Sequence, residues 1–579
     1  MSTLGVYDGH NAGAAVIAKD GTILAAVEEE RFSRVKNHDS RPGKQVGPHE
    51  SVTYCLKQTA EPVTEVALGL ADPDELHALA MRNFDRRIQR GESQRLDRAR
   101  ELGLSAEELR ELPLRTQRER VEAILGIVRD AGVPNESAVA FIDHHAAHAG
   151  GAFFLSGVGE ALVVTLDGKG DDLSGSVSIG RGASIERIAA MHTEESLGHL
   201  YSAFTVSCGL RPQRDEGKLQ ALAASGRPDA SVRRWLDERF TFNQGTGTVV
   251  GRLNDGLVVG PYPDRLPHLH NSLIASVIAG VKPEDAAATV QEFLEEIVTE
   301  LARWHLKSAG IRHLVVAGGV FANVGLNRQL SRLPEVDELH VHPAMTDAGI
   351  ALGAAAVRMA SQGIRPFPLT TAALGPEYDD ETASAAFARA GYHIHRPTEK
   401  GRTAEAIIAK ALAGGRVVAR FFGRAEYGPR ALGNRSILAP ANDPAMPERL
   451  NRMLRRSTVM PFAPIVRAKH ADELFDDHQA LDGPLRFMTA AVMCSDLARQ
   501  HYPAIVHLDG TARPQLVDEG PLEVVLEEYE RHCGRRVLIN TSFNLHDEPM
   551  VCRPEDAART ARTASIEVVQ VGRIIASLG

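Results

Sequence analysis

Short apolar runs that each end in a glycine turn occur at three distant places in this chain of 579 residues. The runs are Leu4 to Tyr7, Leu162 to Leu166 and Leu314 to Ala317, and the turns are Asp8-Gly9-His10, Asp167-Gly168 and Gly318-Gly319. Each run has the length of a buried strand, and glycine after a strand lets the backbone approach a ligand closely. The pattern predicts a mixed α/β fold whose strand ends carry a binding site.

The first run opens a hairpin pattern. We expect a second strand from Ala14 to Lys19, a turn at Asp20-Gly21 and a third strand from Ile23 to Val27. Because the strand-and-glycine pattern returns in the middle of the chain, we expect a duplicated actin-like or ribonuclease-H-like N-terminal domain. The segment Gly363 to Pro368 predicts a linker. The expected domains are residues 1–365 and a smaller α/β domain, 366–579.

Composition narrows the class of partner. The formal net charge of −10 disfavours binding to a phosphate backbone as the main task, and the 5% aromatic content disfavours a stacking platform for single strands. The five cysteines form no CxxC pair, which is typical of reduced thiols. No signal-peptide pattern and no apolar stretch of membrane-spanning length is evident. We therefore expect a cytoplasmic protein with neither nucleic acid nor membrane as its partner.

A histidine pair predicts a metal site. His144 and His148 are four residues apart and would share one face of a helix. Asp167 follows a predicted buried strand, and Asp347 stands at the expected start of a helix of small residues. Two imidazoles and two carboxylates can hold iron, zinc or manganese, so the identity of the metal stays open.

A second polar cluster lies in the C-terminal part. The stretch Gly423 to Ser436 contains three arginines besides its glycines and a proline, and Asn540 follows a predicted strand. Arginine presents a planar fork of donors that suits phosphate or carboxylate oxygens. This part is therefore expected to bind an anion. The arginine-rich segment Arg82 to Arg120, by contrast, is expected to be a solvated helical insertion without chemistry.

The ordered set of motifs resembles the nodulation-protein-type O-carbamoyltransferases, a family that includes antibiotic-tailoring enzymes. The matching motifs span nearly the whole chain. They are Gly9 to Ala12, Glu28 to Arg34, His144 to Ala149, Asp167-Gly168, Gly217 to Leu219, Ala317 to Val320, Asp347 to Gly349, Gly428 to Gly433, Pro461 to Pro464 and Asn540 to Asn544.

The resemblance implies two catalytic modules. The C-terminal domain would convert carbamoyl phosphate and ATP, with magnesium, to carbamoyl-adenylate. The N-terminal domain would bind that intermediate beside a divalent metal and transfer the carbamoyl group to a hydroxyl of a small-molecule natural product. Adenylation would supply a better leaving group, because the carbamoyl nitrogen donates into its carbonyl and makes the free group a poor electrophile.

The resemblance also implies roles for particular residues. The metal ligands would be His144, His148, Asp167 and Asp347, and His10 would be the general base. The nucleotide pocket would be lined by Lys169, Gly198, Gly319 and Asn323. Carbamoyl phosphate would contact Arg430, Arg455, Arg513 and Asn540.

Two positions depart from the family pattern. Met460 stands before Pro461-Phe462-Ala463-Pro464, where many members carry an arginine, and the loop from Arg456 to Val459 is shorter. Asp547 replaces the usual glycine after the asparagine-rich run. Arg535 and Arg553 are candidates to compensate for a lost phosphate contact.

Two other functions compete with this interpretation. A tRNA-modifying enzyme of the same chemistry would need a basic surface, which the net charge disfavours. An actin-like nucleotide-binding protein without transfer activity would have no need of the histidine pair together with the arginine cluster. The sequence identifies neither the acceptor nor the oligomeric state.

Overall fold

The structure is a computed structural model that describes residues 2–40, 47–78, 106–251, 274–397, 403–456 and 462–578, without the side chains of residues 106–113 and Glu194. It is a mixed α/β protein with several sheets, as the sequence predicts. The chain divides into two compact units. Unit 1 comprises Met1–Leu24 and Asp39–Pro368, and unit 2 comprises Ala25–His38 and Leu369–Gly579.

Two five-stranded sheets organise the first part of the chain. The first contains β1 (Ser2–Tyr7), β2 (Gly13–Ile17), β3 (Ile23–Glu28), β4 (Val63–Leu68) and β5 (Ala138–Phe141), in the order β3-β2-β1-β4-β5. The second contains β6 (Glu160–Gly170), β7 (Leu173–Arg181), β8 (Ser184–His192), β11 (His313–Ala317) and β12 (Glu338–Val341), in the order β12-β11-β6-β7-β8. A separate hairpin is formed by β9 (Phe240–Asn243) and β10 (Thr248–Gly251).

The two sheets have matching strand orders. The central strand β1 is antiparallel to β2 and parallel to β4, and the central strand β6 is antiparallel to β7 and parallel to β11. In each sheet the last strand, β5 or β12, extends the parallel side. Strand β1 is buried throughout and β6 is buried from Ala161 to Leu166, which explains the apolar runs within both strands.

The helices up to the end of unit 1 are α1 (Glu30–Ser33), α2 (His49–Lys57), α3 (Ala106–Asp130), α4 (His144–Phe154), α5 (Leu197–Ser207), α6 (Glu216–Ala223), α7 (Ala230–Asp237), α8 (Pro283–Ala309), α9 (Val324–Ser331) and α10 (Ile350–Ser361). Helices α4 and α10 pack against each other. A Cβ at Gly353 of α10 would lie 2.0 Å from the carbonyl oxygen of Ala147 in α4, so only glycine permits this close approach.

Unit 2 is built on one eight-stranded sheet. Its strands are β13 (His393–His395), β14 (Val418–Phe421), β15 (Arg435–Pro440), β16 (Ala463–Arg467), β19 (Gln515–Val517), β20 (Val537–Ser542), β21 (Val568–Val571) and β22 (Ile574–Ser577). Their order is β13-β22-β21-β14-β15-β20-β16-β19. A small two-stranded sheet pairs β17 (Val492–Met493) with β18 (Thr511–Ala512).

The helices of unit 2 after α1 are α11 (Asp380–Arg389), α12 (Ala404–Ala413), α13 (Met446–Met453), α14 (Ala471–Leu474), α15 (Asp482–Arg486), α16 (Asp496–His501), α17 (Gly520–Cys533) and α18 (Pro554–Thr563). Helices α12 and α17 cover the sheet through one apolar core, to which they contribute Ile408, Leu412, Val525 and Tyr529. Burial of such side chains away from water is the main favourable term in folding.

A charged segment near the N-terminus belongs to unit 2, which the sequence analysis did not anticipate. Arg31 is only 2% exposed, and its guanidinium donates hydrogen bonds to Glu30 at 2.8 Å and to the carbonyl oxygen of Gly428 at 2.6 Å. The amide of Gly428 donates in turn to Glu28 at 2.7 Å. Arg34 donates to two further backbone carbonyls, those of Pro549 and Met550. The segment is therefore held by the backbone of distant residues.

We expect Arg31→Met to destabilise unit 2 by about 3–5 kcal/mol, because removing one partner of a buried ion pair leaves uncompensated charge behind. Hydrogen exchange of the β14 and β15 amides under native conditions measures this loss. The matched control is Arg573→Met, since Arg573 pairs with Asp380 but is 89% exposed, and an exposed pair contributes little. Equal protection in both variants would contradict the expectation.

Candidate functional site

Four side chains of unit 1 converge on one point. Nε2 of His144 lies 3.2 Å and Nε2 of His148 lies 3.3 Å from Oδ2 of Asp167. Both nitrogens lie 3.7 Å from Oδ1 of Asp347. The four ligand atoms are all within 4.8 Å of one another. The structure thus brings together the four residues that the sequence nominated as metal ligands.

Local sequence explains how the two histidines are presented. The side chain of Asp143 accepts a hydrogen bond from the amide of Ala146 at 2.8 Å, which caps α4 and makes His144 its first residue. From there His148 falls one turn further along the same face. Asp347 begins a short 3₁₀ turn directly before α10. The contact between α4 and α10 therefore delivers three of the four side chains.

Electrostatics within this cluster favour a bound cation. Burial opposes protonation of His148, but hydrogen bonds and charge from Asp167 and Asp347 outweigh it and raise the pKa of His148 to about 9. Burial alone would raise the pKa of Asp167, yet its hydrogen bonds to His144 and His148 hold it well below the usual value. Two half-buried carboxylates thus attract positive charge, and a divalent cation would replace the proton that they otherwise attract.

The neighbours of the cluster also suit a metal. The hydroxyl of Tyr7 donates to Oδ2 of Asp347 at 2.9 Å and so leaves Oδ1 facing the histidines. His145, the third histidine of the motif, points elsewhere: its Nδ1 shares a hydrogen bond with Thr165 at 2.9 Å, and burial lowers its pKa to about 3. A hydrogen bond to a metal ligand, such as the one from Tyr7 to Asp347, orients that ligand and tunes its affinity for the metal.

The residues predicted to line the nucleotide pocket fall into two groups. Lys169 lies in β6, while Gly198 and Gly319 closely approach Asp167. A Cβ at Gly198 would lie 2.8 Å from the backbone of Asp167, and one at Gly319 would lie 2.9 Å from its Oδ1. Gly198 therefore lies against the backbone of Asp167 and Gly319 against its carboxylate, while Lys169 is two residues further along the same strand.

Asn323 is engaged by the protein itself. Its side chain caps α9 by accepting from the amide of Leu326 at 3.0 Å. It also accepts from Gln220 at 2.8 Å and donates to Gln291 at 2.8 Å. The contacts are those of a helix cap within an amide network.

His10 follows β1 and is half-buried, and its backbone bridges to Asp39. It makes no side-chain hydrogen bond with the four-residue cluster in the part of the chain that the structure describes. The adjacent Asp8 accepts two hydrogen bonds of 2.8 Å from Nε of Arg120. Arg120 belongs to α3, within the arginine-rich segment that the sequence analysis left without chemistry. It holds the turn that carries His10, and no local motif indicates that role.

The predicted anion site in unit 2 contains several guanidinium groups. Arg430 and Arg513 are both half-buried, and burial together with the positive charge of Arg513 holds the pKa of Arg430 well below its usual value. Burial lowers the pKa of Arg513 to about 10. Two like charges kept this close favour an anion between or beside them.

Neighbouring arginines differ in their orientation. Arg455 has a left-handed backbone, with φ of 57°, and its side chain is exposed. Arg456 instead donates to the hydroxyl of Thr541 at 3.2 Å, and burial lowers its pKa to about 10. Arg456 thus reaches the polar run that begins at Asn540. The sequence contained both arginines but did not indicate which one turns inward.

The two departures from the family pattern have different outcomes. Met460 and most of its loop lie outside the described residues. Asp547 adopts φ of 65°, the left-handed conformation that glycine favours and that aspartate tolerates better than most residues.

A pocket of about 450 Å³ is lined by Tyr502 and by Arg535, one of the two candidates to compensate for a lost phosphate contact, but by none of the residues predicted to bind metal, nucleotide or carbamoyl phosphate. Within the described residues, no helix is both long and apolar enough to cross a membrane.

Comparison with known proteins identifies the class to which this fold and these clusters belong. The family model described as Carbamoyltransferase N-terminus matches residues 2–356, and the one described as Carbamoyltransferase C-terminus matches residues 409–577. The chain belongs to the carbamoyltransferase family. The resemblance inferred from its motifs is thereby confirmed.

Individual relatives agree with the family. The nodulation protein NolNO of Sinorhizobium fredii is 32% identical over 97% of this chain and 78% of its own length. The 3'-hydroxymethylcephem-O-carbamoyltransferase of Streptomyces clavuligerus is 33% identical over 62% of this chain and 64% of its own length. Among solved structures, T. kodakarensis HypF is matched at 13% identity over 42% of this chain and 39% of that chain, with a TM-score of 0.28.

We expect Asp167→Asn to abolish binding of a divalent metal, because it removes the carboxylate that contacts both histidines. Tyr7→Phe should weaken binding about 10- to 100-fold, as loss of an outer hydrogen bond usually does. Metal content of the purified protein and chelator competition measure both effects. His305→Gln is the control, since His305 is buried in unit 1 but contacts Gly247 instead. Normal metal content in Asp167→Asn would exclude these four ligands.

Proposed function

We propose that the chain is an ATP-dependent O-carbamoyltransferase with two reaction centres. Unit 2 converts carbamoyl phosphate and ATP to carbamoyl-adenylate, and unit 1 transfers the carbamoyl group to a hydroxyl of a small-molecule natural product. Membership of the carbamoyltransferase family and a relative named as an O-carbamoyltransferase support this proposal. The structural observation that carries it is the pair of hydrogen bonds from Asn540 to Ala431 and Gln515, because they hold the segments that contain Arg430 and Arg513 beside Asn540.

The anion that best suits unit 2 is carbamoyl phosphate. Arg430, Arg513 and Arg456 offer positive charge at partly buried positions, where attraction to phosphate is stronger than in open water. Arg455 remains a candidate for an outer contact. Asn540, which is 2% exposed, supplies an amide suited to the carbamoyl end.

The first reaction has a defined balance. Water releases inorganic phosphate from carbamoyl phosphate, and an oxygen of the resulting carbamate attacks the α-phosphorus of ATP. Pyrophosphate leaves, and carbamoyl-adenylate remains. The second reaction forms the bond between the acceptor oxygen and the carbamoyl carbon, and AMP departs with the electron pair of the broken bond.

Unit 1 contains candidate metal ligands, nucleotide contacts and a general base for carbamoyl transfer. His144, His148, Asp167 and Asp347 would hold a divalent metal of the iron, zinc or manganese type, which neutralises phosphate charge or polarises a carbonyl when bound. Lys169, Gly198 and Gly319 would surround the adenylate near Asp167, and Asn323 would support them through its amide network. His10 would accept the proton of the acceptor hydroxyl, held in place by the Asp8 turn and Arg120.

We also propose a duplicated architecture and domain bounds for the chain. The matching strand orders of the two five-stranded sheets support a duplicated actin-like architecture for the transfer domain. The transfer domain would extend over residues 1–365 and the adenylate-forming domain over 366–579, with Ala25–His38 joined to the latter. We further propose a role in antibiotic-type biosynthesis in the cytoplasm, with magnesium accompanying ATP.

We expect the purified chain to release AMP and pyrophosphate from ATP only when carbamoyl phosphate is added. Arg513→Ala should reduce this rate at least about 100-fold, because hydrogen bonds to a charged group contribute about 1.5–3 kcal/mol and here also position the reactant. Arg573→Ala is the matched control, because it replaces an arginine of unit 2 that is 89% exposed and pairs with Asp380. AMP release that is independent of carbamoyl phosphate would refute the proposed reaction.

We expect His10→Ala to leave AMP and pyrophosphate formation intact and to slow carbamoyl transfer about 100- to 10,000-fold, the usual contribution of a general base. Mass spectrometry of products from a panel of hydroxylated natural products measures transfer. His49→Ala, an exposed histidine of α2, should keep both activities. A parallel fall of both half-reactions in His10→Ala would rule out the assigned role.

A further inference from the structure

Oδ1 of Asn540 is among the buried acceptor atoms of unit 2 that have no donor within the described residues. Asn540 is 2% exposed, and its Oδ1 receives no hydrogen bond in the part of the chain that the structure describes. An unmet polar atom at such depth destabilises the folded protein, so native proteins rarely keep one without a reason. A ligand that carries an N–H group would remove this cost.

The orientation of the Asn540 amide is fixed by its neighbours. Its Nδ2 donates to the carbonyl oxygen of Ala431 at 3.1 Å and to Oε1 of Gln515 at 2.7 Å. Both protons of the amide are therefore used. A flipped amide would place its oxygen against two acceptors and lose both bonds.

Gln515 has an equally fixed orientation. Its Nε2 donates to the carbonyl oxygen of Leu432 at 2.8 Å, which leaves its Oε1 to face Asn540. Because the carbonyl of Leu432 can only accept, Gln515 must turn its Nε2 toward Leu432 and its Oε1 toward Asn540. Asn540 must then turn its Nδ2 toward Gln515. The side chain of Gln515 is 5% exposed and lies in β19, in the same sheet as Asn540 of β20.

The surroundings of this acceptor are those of the proposed carbamoyl phosphate site. Ala431 and Leu432 directly follow Arg430, and Gln515 is two residues from Arg513. The guanidinium groups suit the phosphate, while an acceptor with no partner suits the other end of the molecule. A carbamoyl group carries an NH₂ that can donate there, and an acetyl group carries a methyl that cannot.

We propose that Gln515 is a positioning residue that sets acyl selectivity, by turning Asn540 so that its Oδ1 accepts a hydrogen bond from the carbamoyl NH₂. This inference rests on the proposed function and extends it to the choice of acyl group. Sites built to hydrogen-bond a substrate reject an analogue that lacks the matching donor, because the buried partner then stays unsatisfied.

Selectivity is tested with carbamoyl phosphate and acetyl phosphate as alternative substrates of the full chain, by measuring AMP and pyrophosphate formation. The wild-type chain should prefer carbamoyl phosphate. Gln515→Met keeps the side-chain volume but removes the acceptor that orients Asn540. It should lower kcat/KM for carbamoyl phosphate about 10- to 100-fold and leave acetyl phosphate nearly unchanged. Asn540→Leu should remove the preference as well.

Two controls separate positioning from general damage. Gln570→Met removes another buried amide of the same sheet, one that contacts Arg420 and Glu405, and should keep the wild-type preference. Binding of inorganic phosphate, measured by calorimetry, should survive in Gln515→Met because the arginines remain. If Gln515→Met kept the preference for carbamoyl phosphate over acetyl phosphate, or lost phosphate binding to the same extent as activity, this inference would be wrong while the proposed function would stand. A wild-type chain that makes no AMP from carbamoyl phosphate would overturn the proposed function, and this inference with it.

Discussion

The close packing of α4 against α10 is the constraint on which the candidate metal site depends. His144 and His148 come from α4, and Asp347 stands at the entry to α10. A side chain at Gly353 would collide with the backbone of Ala147 and push the helices apart. The small residues of α10 therefore set the separation of candidate ligand atoms on His144, His148 and Asp347, although Asp347 is 199 or more residues from the histidines in sequence.

Unit 2 relies on a different kind of order, which comes from directional hydrogen bonds. Buried guanidinium groups bind backbone carbonyls, as Arg31 does at Gly428, and amides align one another, as Gln515 and Asn540 do. Such contacts have strict donor and acceptor roles, so they specify one arrangement of the loops. The loop from Gly428 to Leu432 is held at both ends by these contacts, with Arg430 between them.

The sequence predicted those features that depend on local pattern. Short apolar runs predicted β1, β6 and β11, because a buried strand can be recognised from a few consecutive apolar residues. The histidine pair was evident because helical periodicity places residues four apart on one face. Asp347 was nominated because it stands at the expected start of a helix of small residues, and the family resemblance implied the same role.

Features that depend on contacts between residues distant in sequence could not be predicted from the sequence alone. Nothing near Arg120 indicates that it holds Asp8, and nothing near Arg31 indicates a bond to Gly428. The inward turn of Arg456 rather than Arg455 depends on one left-handed residue. The alignment of Gln515 with Asn540 required the register of β16 between them, which no local pattern encodes.

The membership of Ala25–His38 in unit 2 has a consequence for how such a protein can evolve. A gene cut near the linker would produce a C-terminal fragment lacking the segment that fills its own interior, and an N-terminal fragment carrying charged residues with nowhere to be buried. Fission into two independent genes would therefore need the segment to be moved or replaced at the same time. The interleaving of the two units along the chain thus favours keeping both in one reading frame.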